Sequence, residues 1–193
     1  MGNTKSMRND DWEGLKRVTG LSIPELKALH KEFHIGFPKG RMSKKEYMKI
    51  NVQNKAAEDF VSIMFDAFDE DKNSYIDFRE YALAIGVKKN GTLEDKIKLA
   101  FNMFDIDGDG SIQYEEMVKL IASLFKMIAA KTHGDNEKIM EKMEEQAKER
   151  VDQIFSKMDA NNDKSLSFDE FREGCAKDSE ISRALLKVGG AGL

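Results

Sequence analysis

The strongest constraint on this chain is a repeat. Three stretches share one frame: FDAFDEDKNSYIDFRE ending at Glu80, FNMFDIDGDGSIQYEE ending at Glu116, and IFSKMDANNDKSLSFDE ending at Glu170. In each, an apolar run leads into an Asp, and oxygen-bearing residues follow at alternate positions. An apolar residue stands eighth and a Glu stands twelfth. The loops open at Asp69, Asp105 and Asp159. Self-similar units of this size are supersecondary modules that bury their apolar faces against one another, so the repeat decides the fold before any propensity does.

The spacing has a chemical reason. A hard dication such as Ca²⁺ takes six to eight oxygens at about 2.3–2.6 Å, which a tight loop supplies from positions 1, 3, 5, 7 and 9 and a closing Glu from position 12. Position 7 gives its backbone carbonyl, and position 6 turns sharply, which favours Gly. This is the loop of the EF-hand superfamily, which the chain resembles. The second loop then uses Asp69, Asp71, Asn73, the Tyr75 carbonyl, Asp77 and Glu80, with Ser74 at the turn. The third uses Asp105, Asp107, Asp109, the Ser111 carbonyl, Gln113 and Glu116, with Gly110 at the turn, and matches best. The fourth uses Asp159, Asn161, Asp163, the Ser165 carbonyl, Ser167 and Glu170, with Lys164 at the turn. It has one carboxylate fewer and is expected to bind most weakly. Up to three Ca²⁺ are expected, with Mg²⁺ as a competitor.

Such hands work in pairs, so three imply a fourth upstream. KEFHIGFPKGRMSKKEYMKI supplies it, with Met42 eighth and Glu46 twelfth. Ile35, Phe37 and Lys39 stand where oxygens are needed, and Pro38 stiffens the loop. This hand is expected to keep its helices without binding metal. The eighth-position residues then pair, Met42 with Ile76 and Ile112 with Leu166. Capping boxes at Ser22–Glu25, Ser43–Glu46 and Ser167–Glu170 mark helix starts. Apolar stripes run through Phe60, Met64, Phe65 and Phe68, through Met117, Leu120, Ile121, Leu124, Phe125 and Ile128, and through Ile139 to Met158. The expected fold is all-α, four EF-hands in two paired lobes with short β-bridges between paired loops, plus a C-terminal helix. The expected boundaries are an N-terminal acylated arm at 1–19, an N-lobe at 20–90 (first hand 23–53, second 55–88), a C-lobe at 91–178 (third hand 92–130, fourth 135–177), and a C-terminal helix and tail at 179–193.

Composition narrows the function. The chain has 193 residues, a net charge of −4 and one cysteine, Cys175. An internal disulfide is excluded and a reducing compartment is the natural setting. The acid-lean balance of 31 basic to 35 acidic residues does not suit nucleic acid. No apolar run is long enough to span a bilayer. No P-loop, G-x-S-x-G elbow or catalytic Cys–His context occurs, so no enzymatic activity is expected.

Met1–Gly2–Asn3–Thr4–Lys5–Ser6 fits the N-myristoylation pattern, with Gly2 as acceptor. This motif, a disabled first loop containing Pro38–Lys39–Gly40 and three intact loops together resemble the neuronal calcium sensor family (frequenin-, recoverin- and hippocalcin-like proteins). The resemblance spans nearly the whole chain, with departures that mark a divergent member. Phe37–Pro38 stands where a Cys–Pro pair is usual, Lys164 where Gly is general, and the stretch between the third and fourth loops is a few residues long. The resemblance implies a calcium sensor, cytoplasmic and reversibly membrane-associated through the myristoyl group. Its apolar groove would receive a helix of a target protein, and the protein itself would be a monomer or weak dimer. The competing readings are a permanent calcineurin B-like regulatory subunit, a cytosolic calcium buffer and, less favoured, an EF-hand photoprotein. His30 and His34 have a zinc-compatible spacing but lack the flanking Glu of a zincin, and read as an ordinary packed pair. The last helix is expected to fill part of the groove.

Overall fold

A computed structural model describes residues 7–134 and 136–190. Gly2 and its motif lie outside the described residues. Among the described residues, ten α-helices and four three-residue strands occur in the order α1 (Asn9–Thr19), α2 (Ile23–Gly36), β1 (Arg41–Ser43), α3 (Lys44–Asn51), α4 (Glu58–Phe68), β2 (Tyr75–Asp77), α5 (Phe78–Asn90), α6 (Leu93–Phe104), β3 (Ser111–Gln113), α7 (Tyr114–His133), α8 (Glu137–Met158), β4 (Ser165–Ser167), α9 (Phe168–Lys177) and α10 (Ser179–Gly190). Four helix–loop–helix units, α2–α3, α4–α5, α6–α7 and α8–α9, carry the repeat. Among the described residues no helix is long and apolar enough to cross a membrane.

The strands pair antiparallel, β1 with β2 and β3 with β4, in the register Met42↔Ile76 and Ile112↔Leu166. These eighth-position side chains are all buried. Each bridge therefore fastens two loops back to back while driving an apolar plug into its core. Phe60, Met64, Phe65 and Phe68 are buried around one plug, and Phe101, Phe104, Ile154 and Phe171 around the other. A buried large side chain of this kind contributes roughly 1.5–3 kcal/mol, which fixes the helices that deliver the loops.

Segment 9–19 is a docked helix. α1 buries Trp12, Leu15 and Thr19. Trp12 meets His30 (centroids 5.4 Å apart) and Phe78 (6.2 Å) edge to face. The His30 and His34 rings lie 4.0 Å apart inside this aromatic cluster, as the packed-pair reading expects. Close approach of α1 to α5 depends on Gly86: a methyl group built on its Cα would stand 2.6 Å from both Cβ and the carbonyl oxygen of Thr19. Asn90 Nδ2 donates to the Gly20 carbonyl at 2.9 Å, and Lys89 pairs with Glu25.

One expectation on α7 is corrected. By spacing Ile128 falls on the apolar stripe, yet it is 54% exposed, while Ala129 and Ala130 are buried. Helix α7 packs against the long helix α8 and against the turn at 55–57, and toward its C-terminus the small alanines are the buried residues. Lys126 Nζ bonds Glu144 Oε2 across this hairpin at 3.0 Å. Ile181 and Leu185 of α10 are buried where that helix lies on α6 and α9.

Candidate metal centres

In the second and third loops the backbone folds around carboxylates. Asp69, at the end of α4, accepts N–H bonds from Asn73 (3.0 Å) and Ser74 (2.8 Å). Asp105, at the end of α6, accepts from Gly108 (2.9 Å), Asp109 (3.1 Å) and Gly110 (3.0 Å). The closing glutamates reach back across their loops. Glu80 Oε1 accepts from the amides of Glu70 and Asp71, and Glu116 Oε1 from those of Ile106 and Asp107. Ligand oxygens of Asp69, Asp71 and Glu80 lie within 4.8 Å of one another, as do those of Asp105, Asp107 and Asp109. Burial pushes the Glu80 carboxyl up, against the lowering effect of its amide bonds. Like charges gathered this closely in a loop repel unless a cation joins them, so the donor set fits a hard dication.

The ninth and twelfth positions have a second role. Asp77 is the N-cap of α5 and Glu80 its third residue, and the two form a capping box. Ser167 and Glu170 do the same for α9. The Glu80 amide donates to Asp77 Oδ1 at 3.0 Å, and the Asp77 amide to Glu80 Oε2 at 2.9 Å. The separation of these two ligands is the capping-box separation, so helix initiation and ligand placement are one local event. Gln113, ninth in the third loop, precedes α7, and its side chain donates to Asp109 Oδ2 at 3.1 Å. The seventh-position residues Tyr75, Ser111 and Ser165 open strands β2, β3 and β4.

In the fourth loop Lys164 N–H reaches Asp159 Oδ2 (3.1 Å) and Ala160 N–H reaches Glu170 Oε1 (3.3 Å). Asn161 and Asp163 bond to each other, and Asp163 accepts the Ser165 amide at 2.8 Å. Asp159, Asp163 and Glu170 are not among the three-carboxylate groups found in the described residues. Asp159 Oδ1, however, is buried and has no hydrogen-bond partner. An orphaned carboxylate oxygen at the first ligand position fits a cation.

Turn chemistry separates the three loops. The fourth and sixth positions both take positive φ: Lys72 and Ser74 (56° and 68°), Gly108 and Gly110 (76° and 93°), Asn162 and Lys164 (57° and 65°). The third loop meets this requirement with glycine twice. Ser74 and Lys164 adopt the left-handed conformation at about 1–2 kcal/mol each. In the first loop Gly40 keeps the sixth-position turn (φ 72°), but Pro38 cannot adopt the positive φ of the fourth. Ile35 is 71% exposed, and Phe37 packs on Phe33 with centroids 5.1 Å apart. Phe37, Met42, Phe68 and Ile76 then line an apolar cleft of about 270 Å³, together with Tyr81 and Ile85.

Sequence reasoning missed the Asp77–Glu80 capping box, although its signal, an Asp three residues before a Glu at a helix start, was present. It also missed two cross-hand links, Lys44–Asp66 and Tyr114–Asp152, whose partners are too distant in sequence for any local pattern to show.

Comparison with known proteins agrees with this architecture. Two family models, each described as an EF-hand domain pair, match residues 42–84 and 94–176. Neuronal calcium sensor 1 of Aplysia californica is 34% identical over 189 residues, covering 96% of each chain. Guanylyl cyclase-activating protein 2 of Lithobates pipiens is 34% identical over 167 residues, 86% of this chain and 83% of its own, and that of Gallus gallus is 32% identical over 169 residues, 86% and 84% respectively. At these identities over nearly the whole length, the chain is a divergent member of the neuronal calcium sensor family of EF-hand proteins.

Proposed function

We propose that the protein is a non-enzymatic calcium sensor. Its second, third and fourth loops hold Ca²⁺ through the residues described above, and its apolar cleft receives a helix of a target protein. Bound Ca²⁺ supplies the positive charge that lets the clustered carboxylates close together. The observation that carries this reading is that loop and cleft share residues. Phe68 adjoins Asp69, Ile76 adjoins Asp77, and both line the cleft. Closing the second loop therefore moves cleft walls, which a pure buffer has no need to do. Gly2, if acylated, adds a membrane contact that a single chain makes only marginally, so a target or surface must share the anchoring. The names of the relatives make a guanylyl cyclase one target to test.

The decisive experiment is hydrophobic-dye fluorescence of the purified, unacylated protein, titrated with free Ca²⁺ against an Mg²⁺ background. A calcium-specific rise on the order of 10⁻⁷–10⁻⁵ M is expected of a sensor. Binding without a rise would favour a buffer or a permanently filled subunit. Burial of Ile181 and Leu185 of α10 against α6 and α9 supports the reading that the last helix fills part of the groove, so removing residues 179–193 should strengthen target binding.

A further inference from the structure

Tyr114 occupies the tenth position of the third loop, where no ligand oxygen is required. Three contacts tie it to the fourth hand. Its amide donates to the carbonyl of Lys164, the sixth residue of the fourth loop, at 3.1 Å. Its phenol donates to Asp152 Oδ1 on α8 at 2.7 Å. Its ring meets Phe155, also on α8, edge to face with centroids 5.3 Å apart. Phe155 and Asp152 stand one and two helical turns before Asp159, where α8 opens into the fourth loop. A single residue, held between Gln113 and Glu116 of one loop, thus grips both the helix and the turn that shape the next.

The N-lobe contains the same device in different chemistry. Lys44 is tenth in the first loop, and its Nζ lies 2.8 and 2.6 Å from the two carboxylate oxygens of Asp66 on α4. The same ammonium sits 5.7 Å over the ring of Phe65. Phe65 precedes Asp69 by the interval at which Phe155 precedes Asp159, and Asp66 and Asp152 occupy the same face of equivalent helices one turn apart. An ion pair in one lobe and a phenol–carboxylate bond in the other, reached independently from unlike residues, argue that the link itself is the feature.

We propose that Tyr114 is a positioning residue that couples the third calcium site to the fourth. Closure of the third loop between Gln113 and Glu116 immobilises Tyr114, which holds the end of α8 that delivers Asp159. This rests on the reading that both C-lobe loops bind Ca²⁺.

The test uses the full chain carrying Glu80→Gln, which silences the second loop, titrated with Ca²⁺ by calorimetry to give two stepwise constants. Tyr114→Phe should leave the first step unchanged and weaken the second, reducing their ratio about three- to tenfold, toward the lower end of the coupling found between contacting residues. Asp152→Asn, which keeps an oxygen acceptor for the phenol, should retain most of the coupling. A ratio unchanged by Tyr114→Phe overturns the inference, including the case in which only thermal stability in chelator falls, as a merely structural role predicts. If Asp152→Asn lowers the ratio as far as Tyr114→Phe, charge at position 152 is responsible and the inference is again overturned. A single binding step in the Glu80→Gln parent overturns the fourth-loop assignment and the inference with it, whereas two steps that Tyr114→Phe leaves alone overturn only the inference.

Discussion

Gly86 offers a direct perturbation of how the N-terminal helix is held. A methyl group at this position would meet Cβ, Cα and the carbonyl oxygen of Thr19 at 2.6–2.8 Å, and the last two are backbone that cannot rotate away. Overpacking of this kind costs about 1–3 kcal/mol. Replacing a helix-interior glycine by alanine returns only about 0.5–1 kcal/mol through propensity. The Gly86→Ala variant should therefore lose about 1–2 kcal/mol. Docking of α1 rests chiefly on burial of Trp12 and Leu15, worth roughly 3–6 kcal/mol together. The alanine clash is smaller than this, so α1 should remain in place under strain. Valine adds two more carbons to the same space, and its cost reaches the docking energy. There α1 should let go.

Trp12 is the single tryptophan of the chain, and at 8% exposure its emission reports on the docked state alone. Gly86→Ala should keep a blue-shifted emission and melt a few degrees lower, at about 2–4 °C per kcal/mol for a chain of this size. Gly86→Val should shift the emission to the red. Gly14, on α1 itself, is the control, because a methyl group there meets nothing within 4 Å; Gly14→Ala should be stabilising. A Gly86→Val protein with wild-type emission and melting temperature would refute the docking described above.

Three further outcomes are expected. Asp159→Asn should remove one calcium-binding step in calorimetry without lowering the melting temperature in chelator, because the amide oxygen can keep the Lys164 N–H bond while the amino group replaces the oxygen that has no partner to lose. Lys164→Gly should raise the melting temperature in chelator by the few degrees that correspond to about 1 kcal/mol of relieved left-handed strain. Lys157 holds the Asp178 carboxyl down to about 2, assisted by the Ile181 amide at the start of α10. That lowering means the pair is intact above the ordinary carboxylate range near 4 and is lost as pH falls through about 2. Circular dichroism between pH 5 and 2 should show acid-induced loosening that Asp178→Asn makes slightly smaller, because other lowered carboxylates such as Glu25 still titrate, and an identical acid profile in the variant would count against it.

Much of this architecture was legible from spacing. The bridge registers followed from Met42, Ile76, Ile112 and Leu166, because the eighth position of each loop is the point at which a pleated strand turns its side chain inward. The left-handed turns at Ser74 and Lys164 followed from the same frame. What escaped was tertiary. Thr19 and Gly86 are far apart in sequence, and their contact follows from how two helices cross, which neither helix encodes alone. Ile128 sits at the right helical phase to be buried, but periodicity describes only one face of one helix. The elements that pack on that end of α7, the helix α8 and the turn at 55–57, determine which residues are covered, and Ala129 and Ala130 are buried there.

The first loop, with its Gly40 turn kept and its strand still paired to β2 but without ligand oxygens, would give the two lobes different dose–response shapes. On the proposed function, the N-lobe has a single ligand-bearing loop bridged to one without ligands, so its occupancy would follow a simple hyperbola, graded over the whole concentration range. The C-lobe bridges two ligand-bearing loops, and if they close in mutual dependence its occupancy would rise steeply about a threshold. One chain would then read the same ion both as a dial and as a trigger, and a target that gripped both lobes would receive the product of the two.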